Sequence, residues 1–174
     1  MDEIEDSALK IGAVNVVKVG DGGRLTGFNS DYYGFKTSLE KWMGWPNKVS
    51  ALILGTGGAA KAVSAVLEDL GVGYQRVSRS GGKGVLIYDE ISEEIILAHQ
   101  LIINTTPLGM HPNINSRPDI PYRFLSDKHY LYDLVYNPEE TTFMKEGLTV
   151  GSKVKNGLEM LYLQAEKSWQ IWNS

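Results

Sequence analysis

Cysteine is absent from the 174 residues, so the chain has no disulfide framework, no thiolate nucleophile and no cysteine-based zinc site. Its histidines, His99, His111 and His129, are scattered and form no ligand pattern, so no metal site is expected. Basic runs are lacking as well. The 17 Lys and Arg are outnumbered by 21 Asp and Glu, the net charge is -4, and no cationic stripe offers a footprint for nucleic acid. No apolar run is long enough to cross a bilayer or act as a signal peptide, and the segment from Met1 to Asp6 is acidic. No membrane partner is therefore expected, and a reducing, cytoplasmic setting is. What is present is 43% apolar content, enough to bury the core of one compact unit or slightly more.

The apolar residues fall into a readable order. Ala13 to Val19 is rich in β-branched residues, Gly20-Asp21-Gly22-Gly23 is a turn, and Leu25 to Phe28 follows, which predicts a hairpin. Asn29, Ser30 and Asp31 are N-cap candidates for a helix with a stripe at Tyr32, Phe35, Leu39 and Trp42, ending near Gly44-Trp45-Pro46. The rhythm then changes. Ala51 to Leu54 is a short apolar run, followed by a glycine loop and a helical face of Ala59, Ala62, Val63, Val66, Leu67 and Leu70 closed by Gly71. Further strands are predicted at Tyr74 to Val77, Leu101 to Ile103 and Leu131 to Val135, the last two as unbroken apolar runs suited to a parallel sheet covered on both faces. Four prolines between Pro107 and Pro121 predict an ordered surface loop. Asn156 to Trp172 predicts a terminal helix with a stripe at Leu158, Leu161, Ala165, Trp169 and Trp172. The fold class expected is α/β, a doubly wound, Rossmann-like parallel sheet.

The chemistry begins at Gly55-Thr56-Gly57-Gly58-Ala59-Ala60, directly after a strand and opening a helix. Glycine at 55 allows the tight turn. Glycine at 57 lets the backbone approach a pyrophosphate lying on the helix N-terminus, where free N–H groups and the dipole favour negative charge. The third small position is crowded forward compared with the usual dinucleotide fingerprint, so a glycine-rich turn that merely packs closely is the competing reading. After the second strand, where an NAD site places an acid on the ribose 2′-hydroxyl, the chain reads Ser78-Arg79-Ser80-Gly81-Gly82-Lys83. Two hydroxyls and two cations suit a 2′-phosphate, so NADP is preferred over NAD. The plain alternative is a solvated basic turn.

Six blocks in order carry a family resemblance: Gly12-Ala13-Val14-Asn15, Gly27-Phe28-Asn29-Ser30-Asp31, the glycine loop, Asn104 to Met110, Asp133 to Pro138, and Asn156 to Ala165. Together they resemble the shikimate dehydrogenase family. The resemblance implies NADPH-linked, reversible reduction of 3-dehydroshikimate to shikimate, a step of aromatic amino-acid biosynthesis. It implies a catalytic role for Asp31, which would flank the reacting oxygen together with a lysine. Asn15, Tyr136 and Gln164 match substrate-binding positions. Thr106, Leu134, Gly157 and Met160 match the nicotinamide side, and the residues read above, Gly55, Thr56, Gly57, Gly58, Ala59, Ser78, Arg79, Ser80 and Lys83, complete the expected cofactor site. Read without the family, Asp31 is a helix N-cap and Leu134 and Met160 are core.

Two departures qualify the match. Ser78 and Ser80 stand where the family commonly has Asn and Thr. The family's substrate domain, with its lysine, should precede Gly12, and eleven residues do. Lys10 and Lys18 lie in no matching motif. The expected organisation is therefore a substrate-domain remnant over 1–30, a linking helix over 31–47, the NADP-binding unit over 48–150 and a returning helix over 151–174. On this reading the chain binds NADP(H) with little or no turnover, and the hairpin edge invites self-association. A quinate-using relative, a non-catalytic NADP-binding subunit or sensor, and a structural module without cofactor are the alternatives.

Overall fold

The computed structural model describes residues 1–44 and 49–174. Strand β1 (Glu3–Ile4) and helix α1 (Asp6–Ile11) lead into a hairpin, β2 (Val16–Val19) and β3 (Leu25–Phe28), and then helix α2 (Ser30–Met43). Next come β4 (Ala51–Leu54), α3 (Gly58–Asp69), β5 (Tyr74–Ser78), β6 (Val85–Ile87), α4 (Glu93–Ala98) and β7 (Leu101–Asn104). Last are β8 (Tyr130–Asp133), α5 (Thr142–Thr149), β9 (Lys153–Lys155) and α6 (Leu158–Asn173).

Six of these strands form one parallel sheet in the order β6-β5-β4-β7-β8-β9. Alternate residues of each central strand serve opposite faces. Ala51, Ile53, Leu101 and Ile103 join Phe35, Leu39, Val63, Leu67 and Tyr132 under α2 and α3. Leu52, Leu54, Ile102 and Leu131 join Val77, Ile96 and Phe143 under α4 and α5. The expected doubly wound, Rossmann-like α/β fold is what the chain forms. Its strand order reverses between β4 and β7, and ligands of such sheets sit in the crevice at that switch point.

A second sheet, ordered β1-β3-β2, carries the hairpin, with β1 parallel and β2 antiparallel to β3. Ile11 of α1 packs on Ala62 and Ala65 of α3, which fastens this sheet to the larger one. On its outer edge β2 receives a hydrogen bond from Trp172 Nε1 to the Val17 carbonyl, 3.1 Å.

Several sequence expectations need correction. The first hairpin strand starts at Val16, since Ala13 to Asn15 approach it as irregular chain. Asn29, not Asp31, caps α2, accepting from Tyr32 N. That helix closes on Gly44 in the left-handed region, while Trp45, Pro46 and Asn47, also expected at the helix end or in the linking segment, lie outside the described residues. In α6 the predicted stripe has the wrong phase. Ala165, Trp169 and Trp172 are exposed, and Met160, Ser168 and Ile171 are the buried positions. The cause lies in α2, where a side chain at Gly34 would meet Met160 O at 2.8 Å and Gln164 Cβ at 3.0 Å. The two helices meet there backbone to backbone.

Candidate active site at the strand switch point

The glycine loop bridges β4 and α3. Gly55 has φ +120°, and a Cβ there would lie 2.4 Å from Thr105 Oγ1, so only glycine permits the β4 and β7 loops to touch. Gly57 is the N-cap of α3 and offers no side chain to its first N–H groups, and added Cβ atoms at Gly57 or Gly58 would enter open space. The start of a 12-residue helix thus presents free donors to a cleft, an arrangement that favours an anion.

That cleft, of about 360 Å³, is lined by Gly55, Thr56 and Gly57, by Ser78 and Arg79 at the end of β5, by Tyr88, and by Thr105 to Leu108 after β7. Arg79 forms no ion pair among the described residues, so its charge is available to a ligand. Five cofactor residues expected from sequence therefore share one wall with Thr106: Gly55, Thr56, Gly57 and the Ser78-Arg79 pair. Ser80 and Lys83 are exposed on the turn beyond and do not line the cleft, nor do Gly58 and Ala59 deeper along α3. Tyr88, Thr105, Pro107 and Leu108 were not anticipated. Tyr88 follows a strand of only three residues, a signal too weak to read, whereas the other three flank Thr106 and were within reach of the sequence.

At the C-terminal end of β8, Leu134 and Val135 meet the start of α6. Gly157 donates to the Val135 carbonyl (3.1 Å), and a Cβ on Gly157 would lie 2.1 Å from Leu134 O. Glycine is again obligatory, because the two backbones are in contact. Met160 is buried one turn on, while Tyr136 stands exposed.

The remaining expected residues gather elsewhere, where β2, α2 and α6 converge. Ser30 N donates to Asn15 Oδ1 (2.9 Å), Ser30 Oγ donates to Gln164 Oε1 (3.2 Å), and Ser168 Oγ donates to Ser30 Oγ (3.0 Å). Asp31 stands in the first turn of α2 beside them. Burial raises its carboxyl above the usual range, and the Asn15 side chain partly offsets this. Three amide or carboxyl side chains from distant segments thus form one polar cluster, able to donate and accept toward a neutral polyol. The lysines near the N-terminus are engaged away from it. Lys10 pairs with Asp69 on α3, and Lys18 donates to Ser174.

The shikimate dehydrogenase (NADP(+)) of Clostridium beijerinckii is 42% identical over 182 residues, which takes in 99% of this chain and 66% of that protein. The chain belongs to the shikimate dehydrogenase family. It spans about two thirds of the length of the curated shikimate dehydrogenases it matches. Among solved structures, a chorismate mutase/shikimate 5-dehydrogenase fusion protein from Clostridium acetobutylicum matches with TM-score 0.87 and 38% identity, over 98% of this chain and 64% of that one. A shikimate 5-dehydrogenase from Thermus thermophilus in complex with NADP(H) and shikimate matches with TM-score 0.84 and 32% identity, over 99% and 66%. No family model matches the chain.

Proposed function

We propose that this chain is the NADP(H)-binding part of a shikimate dehydrogenase, working in the cytoplasm on the reversible reduction of 3-dehydroshikimate to shikimate. One observation carries the reading: an uncapped helix N-terminus and an arginine without an ion-pair partner among the described residues open into the same cleft. Its support is the alignment of 99% of the chain with NADP-dependent shikimate dehydrogenases.

The residues present fit a dinucleotide phosphate. Donors at Gly57 and beyond would hold the pyrophosphate, and Arg79 with Ser78 would hold the 2′-phosphate. When bound, the cofactor supplies or accepts the hydride. Around the reacting centre Asp31 would accept a hydrogen bond from a substrate hydroxyl, and burial raises its affinity for a proton. Asn15 and Gln164 orient the other hydroxyls, with Tyr136 at the rim. Leu134, Gly157 and Met160 would wall the nicotinamide side and exclude water.

Calorimetric titration with NADPH and NADH tests this. NADPH should bind more tightly, and Arg79→Ala should weaken NADPH by about one to two decades through loss of a charge-assisted contact while leaving NADH unchanged. Equal affinity for both nucleotides in the unaltered chain would overturn the assignment of NADP.

A further inference from the structure

A carboxylate that this reading leaves unused lies beneath both cofactor-side loops. Asp133 ends β8 and is fully buried. Its Oδ1 accepts from Asn104 Nδ2 (2.9 Å) and Val135 N (3.0 Å), and its Oδ2 accepts from Thr141 Oγ1 (2.6 Å). All three donors are neutral, and no cation pairs with it among the described residues. Tyr122, on the turn that precedes β8, donates its hydroxyl to Pro118 O (2.7 Å), and Arg117 behind that ring is occupied with Glu146. Burial lifts the carboxyl to about 6, against the pull of the three hydrogen bonds.

A buried charge without a counter-ion is a poor stabilising device. What the carboxylate does hold is the relative placement of two loops. Asn104 Oδ1, on the side chain that Asp133 fixes, accepts from Thr106 N (3.0 Å) and Thr106 Oγ1 (2.6 Å), and its Nδ2 also reaches Leu108 O (3.3 Å). On the other side, Leu134 N donates to Asn104 O (2.9 Å), and Val135, held by its own N–H, receives Gly157. One side chain therefore joins Thr106 and Leu108 in the cleft wall to Leu134 and Gly157 at the head of α6.

We propose that Asp133 is a positioning residue, which through Asn104 and Val135 locks the loop after β7 to the loop after β8 and so shapes the nicotinamide half of the nucleotide site. The inference rests on the nucleotide reading above, and two ligands separate their fates. NADPH engages both halves of the site, whereas 2′,5′-ADP lacks nicotinamide and engages only the adenosine half near Arg79. By calorimetry the unaltered chain binds both. Asp133→Asn, nearly isosteric, should bind 2′,5′-ADP within about twofold of that level and NADPH about tenfold more weakly, the scale of a lost hydrogen bond to a charged group. Equal weakening of both ligands would mean a general loss of structure and would overturn the proposal, as would unchanged NADPH binding. Failure of the unaltered chain to bind either ligand would overturn the nucleotide reading itself and this proposal with it. Should Asp133→Asn not fold, Thr141→Val removes one donor and carries the same two-ligand test. In that case Thr141→Ser, which keeps the hydroxyl, should restore NADPH binding, and a failure of that rescue would overturn the proposal.

Discussion

The cofactor-side loops depend on glycine backbone at three positions, whereas the cluster around Asp31 is made of side chains. Gly55, Gly57 and Gly157 contribute absence: a turn, free N–H groups, and contact between two chain segments. Asn15, Ser30, Gln164 and Ser168 contribute groups that bond one another across the meeting of β2, α2 and α6. The difference has a direct consequence. At Gly55 and Gly157 adding an atom is the damaging change, and in the second region removing one is.

Gly157→Ala tests that contrast most severely. The added methyl carbon would lie 2.1 Å from Leu134 O and 2.6 Å from the Leu134 carbonyl carbon, and backbone cannot swing aside as a flexible side chain can. We expect a loss of about 3 kcal/mol in urea denaturation, at the upper end for overpacking. A variant as stable as the parent would show that the α6 junction is slack and would remove the distinction between the regions.

The two regions also differed in how far the sequence disclosed them. The glycine loop and Ser78-Arg79 are contiguous motifs whose meaning depends on what precedes and follows them locally, so the strand and helix patterns were enough. The phase of α6 was hidden because its buried positions are Met160, Ser168 and Ile171, with Gly34 of α2 against the Met160 backbone, while its tryptophans look outward. Hydrophobic periodicity weights the large aromatic side chains and misses a face in which a serine and a close backbone contact stand between two apolar residues. Asp133 was legible as part of a family block, but its partners Asn104 and Thr141 stand 29 and 8 residues away, and no spacing rule links them. Strands β6 and β9 and helices α4 and α5 are short elements whose patterns did not rise above the loops around them.

The buried carboxylate sharpens the comparison through pH. Asp133 titrates at about 6 in the folded chain and near 4 when unfolded. Above about 6 both states are ionised, and below about 4 both are protonated. Between those values the folded state holds a proton that the unfolded state lacks, so this group makes stability fall as pH rises, by about 3 kcal/mol over the window. Asp69 and Glu159 act in the opposite sense. Lys10 and Lys155 respectively hold their carboxyls low, and their contributions fade as pH falls. Comparing the parent with Asp133→Asn at pH 4.5, 6 and 7.5 isolates the buried group: the variant should gain on the parent as pH rises. A constant difference across that range would mean that Asp133 is not protonated in this window.

The smallest effect is expected where a side chain is removed from the second region. Asn29 Oδ1 accepts from Tyr32 N (3.3 Å) and so caps α2, while its Nδ2 donates to Ala13 O (3.0 Å) and ties the helix to the approach of the hairpin. Asn29→Ala should cost about 1 to 2 kcal/mol in thermal or urea unfolding, about 1 of it from the cap. Asn29→Asp divides the two contributions. It keeps an oxygen for Tyr32 N but turns an acceptor toward the Ala13 carbonyl, a short distance from Asp31. If the cap alone mattered, aspartate would restore parental stability. Recovery of less than half of the loss would place the remainder in the Ala13 contact, and with it the orientation of the turn that carries Asp31.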